Sequence, residues 1–185
     1  QNIAGTGTLI PPESFFDHPN NILPNAMDDG TAGPFPLGGI FNFYGKELRY
    51  AWVGINGAIA LSETASETLD VNSAGFYSSS FDFPGSIRSH SDPRDTMMFG
   101  RKPPNFIAPF WNDLVYGDSV SRYGSILWDT IGCNFIVQWD SLAMYDANGN
   151  HLPDKFVVRV ILNRCDGTIE FQYDNIGVAG LDTMA

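Results

Sequence analysis

The chain of 185 residues carries 10 Lys and Arg against 21 Asp and Glu, a formal charge of −11, with 43% hydrophobic and 14% aromatic residues. That is enough apolar material for one domain with a sizeable core, which excludes intrinsic disorder and a disulfide-dependent miniprotein. No apolar run reaches the roughly 18–20 residues of a membrane span, and an acidic chain without a basic stripe repels polyphosphate, so neither membrane insertion nor nucleic acid binding is expected.

Gln1 stands where a Met would, with no charged and apolar leader after it, which reads as a chain processed or excised from a longer one. The first 35 residues are rich in Pro, Asn, Asp and Gly and read as an extended edge segment feeding turns. Two Pro-flanked pieces, Ile22-Leu23 and Phe35-Pro36-Leu37, suit docking on a core rather than central strands. From Phe41 the character changes. Phe41–Lys46 ends in a turn, and the apolar runs Tyr50–Ile55 and Ala58–Leu61 flank Asn56-Gly57, a hairpin signal because both residues tolerate positive φ. Residues 62–105 form a long irregular insertion rich in Ser, Gly and Pro, with the polar cluster Ser89–Asp95 and room for a helical turn around Met97-Met98-Phe99.

The last third alternates clearly. Gly124–Asp129 precedes a turn at Thr130-Ile131-Gly132. Phe135, Val137 and Trp139 share one face, as do Phe156, Val158, Val160 and Leu162 across the 141–155 loop. After the turn Cys165-Asp166-Gly167, apolar Ile169, Phe171 and Tyr173 alternate with Thr168, Glu170 and Gln172. Such strands are antiparallel and buried on one face, so two sheets must cover one another. The expected fold is all-β, a single antiparallel β-sandwich of jelly-roll-like type over 1–185 with long irregular loops, and no amphipathic helix of ten or more residues. Pairing 135–140 with 156–162 gives opposed indices summing to about 296, which sets Cys133 opposite about position 163 and near Cys165. A bridge there would close a loop of about 31 residues and contribute roughly 3–4 kcal/mol, and it would imply an oxidising compartment. Two unrelated thiols are the alternative.

Four stretches then carry a resemblance. Pro24–Thr31 precedes Phe43-Tyr44-Gly45-Lys46; Trp52-Val53-Gly54-Ile55-Asn56-Gly57-Ala58-Ile59 follows; Phe106-Ile107-Ala108-Pro109-Phe110-Trp111-Asn112-Asp113-Leu114 comes next, and Phe135–Trp139 with the Phe156–Tyr173 hairpin completes the order. Over about residues 24–61 and 105–177 this resembles the nidogen-type (NIDO) domain and the related β modules appended to secreted bacterial proteins. The resemblance implies a secreted or cell-surface β module within a larger protein, adhesive or structural and without catalysis. Its partners would be other domains of the same protein or extracellular proteins. The 62–104 insertion departs from the pattern, and the chain stops at Ala185 where similar domains continue into another strand, so an open sheet edge could accept a strand from a neighbour. The absence of an Asn-x-Ser/Thr sequon leans weakly toward a bacterial source.

The chemistry-bearing residues are sparse. There is no Gly-x-Ser-x-Gly elbow, His-Glu-x-x-His pair, Walker loop or dinucleotide fingerprint. His18, His90 and His151 lie in polar, loop-like surroundings; His90 beside Ser89, Ser91 and Asp95 is the nearest approach to a nucleophile and base, and a solvated turn explains it better. Trp52, Trp111, Trp128 and Trp139 would make a sugar platform if exposed on one surface, the lectin-like alternative with glycan as ligand, or core residues if buried. A third alternative, the accessory or catalytic domain of a secreted hydrolase, needs a cleft that brings an acid/base pair or nucleophile together. The best local site is Asp146, Asn148, Asn150 and Asp154, oxygen side chains at the first, third, fifth and ninth places of a tight loop, which suits calcium. It is not an EF-hand, since His151 stands sixth and Val157 twelfth, and an Asx-rich turn is the competing reading. Asp28-Asp29, or Asp113 with Asp118, form a second oxygen-rich place that turn capping also explains.

Overall fold

The structure, a computed structural model, describes residues 2–15, 31–65, 105–110, 114–117, 123–145, 151–153 and 156–175. The strands are β1 (Thr8–Leu9), β2 (Thr31–Phe43), β3 (Lys46–Gly54), β4 (Ile59–Ser62), β5 (Phe106–Ile107), β6 (Leu114–Val115), β7 (Ser125–Ile131), β8 (Asn134–Asp140), β9 (Ala143–Tyr145), β10 (His151–Pro153), β11 (Val157–Asn163) and β12 (Ile169–Asp174). Among the described residues the only helical element is the turn Pro12–Ser14. A five-stranded sheet runs β1-β7-β8-β11-β12, a four-stranded sheet β2-β3-β4-β5, and a small sheet β10-β9-β6. Every pairing is antiparallel.

The two larger sheets bury one shared core. Leu37, Phe41, Leu48, Ala51, Val53, Ile59 and Leu61 from one meet Ile126, Phe135, Val137, Trp139, Val158, Val160 and Leu162 from the other. This is the β-sandwich that the alternation requires. Trp139 ties the layers directly: its indole N–H donates to the Gly54 carbonyl at 2.9 Å, from β8 to β3.

Two local expectations shift. Phe135 faces Leu162, Val137 faces Val160 and Trp139 faces Val158, one residue along from the expected register. A slip of one would have set each apolar residue opposite one from the other face, so the core side chains select the observed pairing. The strand expected from Phe41 begins at Thr31 instead. Register breaks between Ala32 and Phe35 and between Pro36 and Phe41 interrupt its period of two. The segment Phe35–Leu37 nevertheless lies on an edge, since β2 is the outermost strand of its sheet.

The outer face of the five-stranded sheet is also covered. Ile3 packs over Leu127, Ile136 and Ile161, its backbone N–H donates to Gln138 Oε1 at 3.2 Å, and Ile10 N–H reaches the Ile126 carbonyl. The N-terminal segment is therefore a third layer on part of this sheet.

The insertion expected at 62–105 leaves and returns at one point. Leu61 N–H donates to the Asn105 carbonyl and Asn105 Nδ2 donates to the Leu61 carbonyl, both at 3.1 Å. Residues 66–104, including the Ser89–Asp95 cluster and the turn expected at Met97–Phe99, lie outside the described residues.

Candidate functional site

Described parts of the stretches that carry the sequence resemblance, residues 52–59, 106–110 and Leu114 among them, meet one another. Asn56-Gly57 does form the turn between β3 and β4, with Gly54 N–H donating to the Ala58 carbonyl at 2.8 Å. The turn is buried, and Asn56 Oδ1 accepts the Leu114 N–H at 2.8 Å. Phe110 N–H donates to the Gly57 carbonyl, while Ile107 and Phe106 pair with Ile59 and Ala60. Tyr173 closes the arrangement from the other sheet: its hydroxyl donates to the Pro109 carbonyl at 2.6 Å. Segment 105–110 thus spans from β4 toward β12 as a brace.

Gly57 is the tightest point of that brace. Its φ is +74°, and a Cβ there would lie 1.9 Å from the Phe110 carbonyl oxygen. Gly57→Ala therefore combines about 1–2 kcal/mol of left-handed backbone strain with a clash against main chain. We expect a loss of at least that size in urea unfolding and displacement of Phe110; an unchanged midpoint would show that the brace does not press on this turn.

The disulfide is present. Cys133 and Cys165 are joined, with Cα atoms 5.7 Å apart, inside the usual span for the bond. Arg164 N–H donates to the Cys133 carbonyl at 2.9 Å, so the ladder and the covalent link reinforce each other at the end of β8 and β11. The Arg164 guanidinium reaches across to the other sheet, donating to the Gly38 carbonyl at 2.6 Å and also to the Gly132 carbonyl. In the adjoining turn Asp166 accepts from the Thr168 hydroxyl and N–H at 2.7 and 2.9 Å. The Thr168 hydroxyl is the main cause that holds the Asp166 carboxyl below its ordinary pKa.

A polar string crosses the outer face of β8, β11 and β12. Arg159, only 3% exposed, donates from Nε to Gln138 Oε1 at 2.7 Å and from Nη1 to Asp174 at 2.7 Å. Gln138 Nε2 in turn donates to Asp140 at 3.2 Å. Its sequence signal is one charge inside Val157-Val158-Arg159-Val160-Ile161-Leu162, which alternation alone assigns to solvent. Arg159 is buried while its partner Asp174 stays 55% exposed, and at the other end Asp140 accepts from the Ser141 hydroxyl at 2.8 Å.

The remaining residues singled out from the sequence are dispersed. Trp139 is fully buried, and Trp52 is 9% exposed with its N–H on Ser62 Oγ. Trp128 is partly covered between Phe35 and Phe135, at ring distances of 5.0 and 6.0 Å. The three therefore make no shared flat platform, and Trp111 lies outside the described residues. Also outside them are Asp146, Asn148, Asn150 and Asp154, the alternatives Asp28, Asp29, Asp113 and Asp118, and His18 and His90. His151 is described as the first residue of β10, paired with Tyr145. Among the described residues no three His, Cys, Asp or Glu side chains gather as a metal group, and no helix is long and apolar enough to cross a membrane.

The family model described as NIDO related matches residues 14–183, nearly the whole chain. The chain belongs to the NIDO-related family. No curated protein and no solved structure matches it. The NIDO-related match includes the turn at Asn56-Gly57, the 105–110 brace, the disulfide and β12, so the features described above belong to the family region of this chain.

Proposed function

We propose that this NIDO-related chain is a non-catalytic extracellular module of a multidomain surface or matrix protein, acting in adhesion and assembly. One observation carries the reading: a domain of this family joins its β7–β8 turn to its β11–β12 turn with the Cys133–Cys165 disulfide, a bond that persists in oxidising compartments and not in a reducing cytosol. Among the described residues, buried Asn56, Gln138 and Arg159 hold one segment to another, a bracing role in keeping with that reading. The test is thiol trapping on intact source cells before lysis, followed by peptide mapping, with surface protease digestion in parallel. A linked Cys133–Cys165 peptide from protease-accessible protein is expected. Alkylation of both cysteines, or full protection from the protease, would overturn the reading.

Calcium is part of this proposal. Asp146, Asn148 and Asn150 lie in the connection between β9 and β10, whose ends pair at Tyr145 and His151, and Asp154 follows β10. These four are the proposed oxygen ligands, a donor set of the hard type that calcium takes. A saturating ion at about 100 times its dissociation constant stabilises by about 2.7 kcal/mol, so chelator should lower the melting midpoint by several degrees. Because β10 stands between them, Asp146→Asn and Asp154→Asn test separately whether both ends serve one ion. A midpoint indifferent to chelator argues against a structural ion.

A further inference from the structure

The inner-face rows of the five-stranded sheet end on β12, and there the cover thins, among the described residues, to the contact of Pro109 with the Tyr173 hydroxyl. Ile126, Trp139 and Val158 are buried, but Tyr173, next in that row, is 45% exposed. Val137 and Val160 lead to Phe171 at 43%, and Phe135 and Leu162 lead to Ile169 at 37%. Backbone polarity follows the same alternation. Asn163 N–H donates to the Thr168 carbonyl at 2.9 Å, so Thr168, Glu170, Gln172 and Asp174 turn their main-chain groups toward β11. Ile169, Phe171 and Tyr173 turn theirs to the open side. The same three residues thus present apolar side chains together with ladder groups that no described strand takes up.

The other margins of the two large sheets are blunted. β1 and β5 have two residues each, and β2 carries Pro34, Pro36 and two register breaks. β12 runs six residues, Ile169-Glu170-Phe171-Gln172-Tyr173-Asp174, without Pro, Lys or a register break. Its opposite face carries Glu170 and Asp174, with Asp166 in the adjoining turn. Asp174 has Arg159 beside it, whereas Glu170 has no cation among the described residues. A second copy pairing here would set acid near acid on a chain of net charge −11, which disfavours self-association.

We propose that β12 takes up an extended, basic peptide segment of a partner protein as an added strand. Its apolar side chains would lie beside Ile169, Phe171 and Tyr173, and a Lys or Arg beside Glu170. The inference rests on the assembly reading above for its setting, but its test reads the edge alone.

The probe is a ten-residue peptide alternating valine and lysine, titrated into the intact chain by fluorescence anisotropy with amide hydrogen exchange read by NMR. Binding should slow exchange at Ile169, Phe171 and Tyr173 at least tenfold. A peptide with glutamate for each lysine should bind at least tenfold more weakly, and so should one N-methylated along the edge that faces β12. The N-methylated peptide keeps the test independent of how any protein variant folds. Three results would overturn the proposal: no binding, equal binding of the N-methylated peptide, or protection elsewhere on the surface. A concentration-dependent dimer dispersed by Phe171→Lys would overturn it too, by making the occupant a second copy. Any of these leaves the thiol-trapping result standing, so the two readings fail separately.

Discussion

Trp139→Ala is expected to remove about 3–5 kcal/mol of stability, the largest effect of any single substitution in the described core. The side chain is fully buried where the sheets face each other, so truncation opens a cavity between layers that strand pairing holds in place. It also strips the Gly54 carbonyl of its indole donor. Trp139→Phe separates the two contributions. It keeps most of the apolar volume and loses the hydrogen bond, and should cost about 1–3 kcal/mol. Urea midpoints at unchanged slope measure both. If Trp139→Ala costs under about 1 kcal/mol, the sheets are not held by this residue.

The second large effect is the disulfide. Cys133 and Cys165 are 32 residues apart, and closing a loop of that length restricts the unfolded chain by roughly 3–4 kcal/mol in the chain-entropy account. The double variant Cys133→Ser, Cys165→Ser should melt about 10 °C lower, and reductant should do the same to the parent and nothing to the variant. The pairing of β8 with β11 should survive. Arg164 still donates to the Cys133, Gly38 and Gly132 carbonyls, and β8 and β11 keep their full ladder. An unchanged melting temperature would mean that these hydrogen bonds already restrict the ends as much as the covalent link does.

What was legible in the sequence was periodicity. Phe135, Val137 and Trp139 against Val158, Val160 and Leu162 display period two without interruption, and those strands form with the expected faces inward. The disulfide followed because position along paired strands determines which cysteines meet. β2 was legible only in its last residues, since two prolines and two register breaks destroy the pattern before Phe41. Alternation also reports which face of β12 is apolar and says nothing about how far the opposite sheet extends, which is why Ile169, Phe171 and Tyr173 were expected under cover and are not. Gln138 accepts from the N–H of Ile3, 135 positions away, a separation that no local pattern encodes. Donor chemistry alone points to the calcium residues, which lie outside the described residues.

The paired hydrogen bonds between Leu61 and Asn105 make a gate of fixed width through which the chain leaves the sandwich and re-enters it. For any chain joining two such posts, the closure entropy alone grows by only about 0.6 kcal/mol for each doubling of its length. The hydrogen bonds that hold the ends together are thus made by residues of β4 and the start of the 105–110 segment themselves. A change of length between positions 66 and 104 is therefore expected to leave Ile59 opposite Ile107 and Ala60 opposite Phe106.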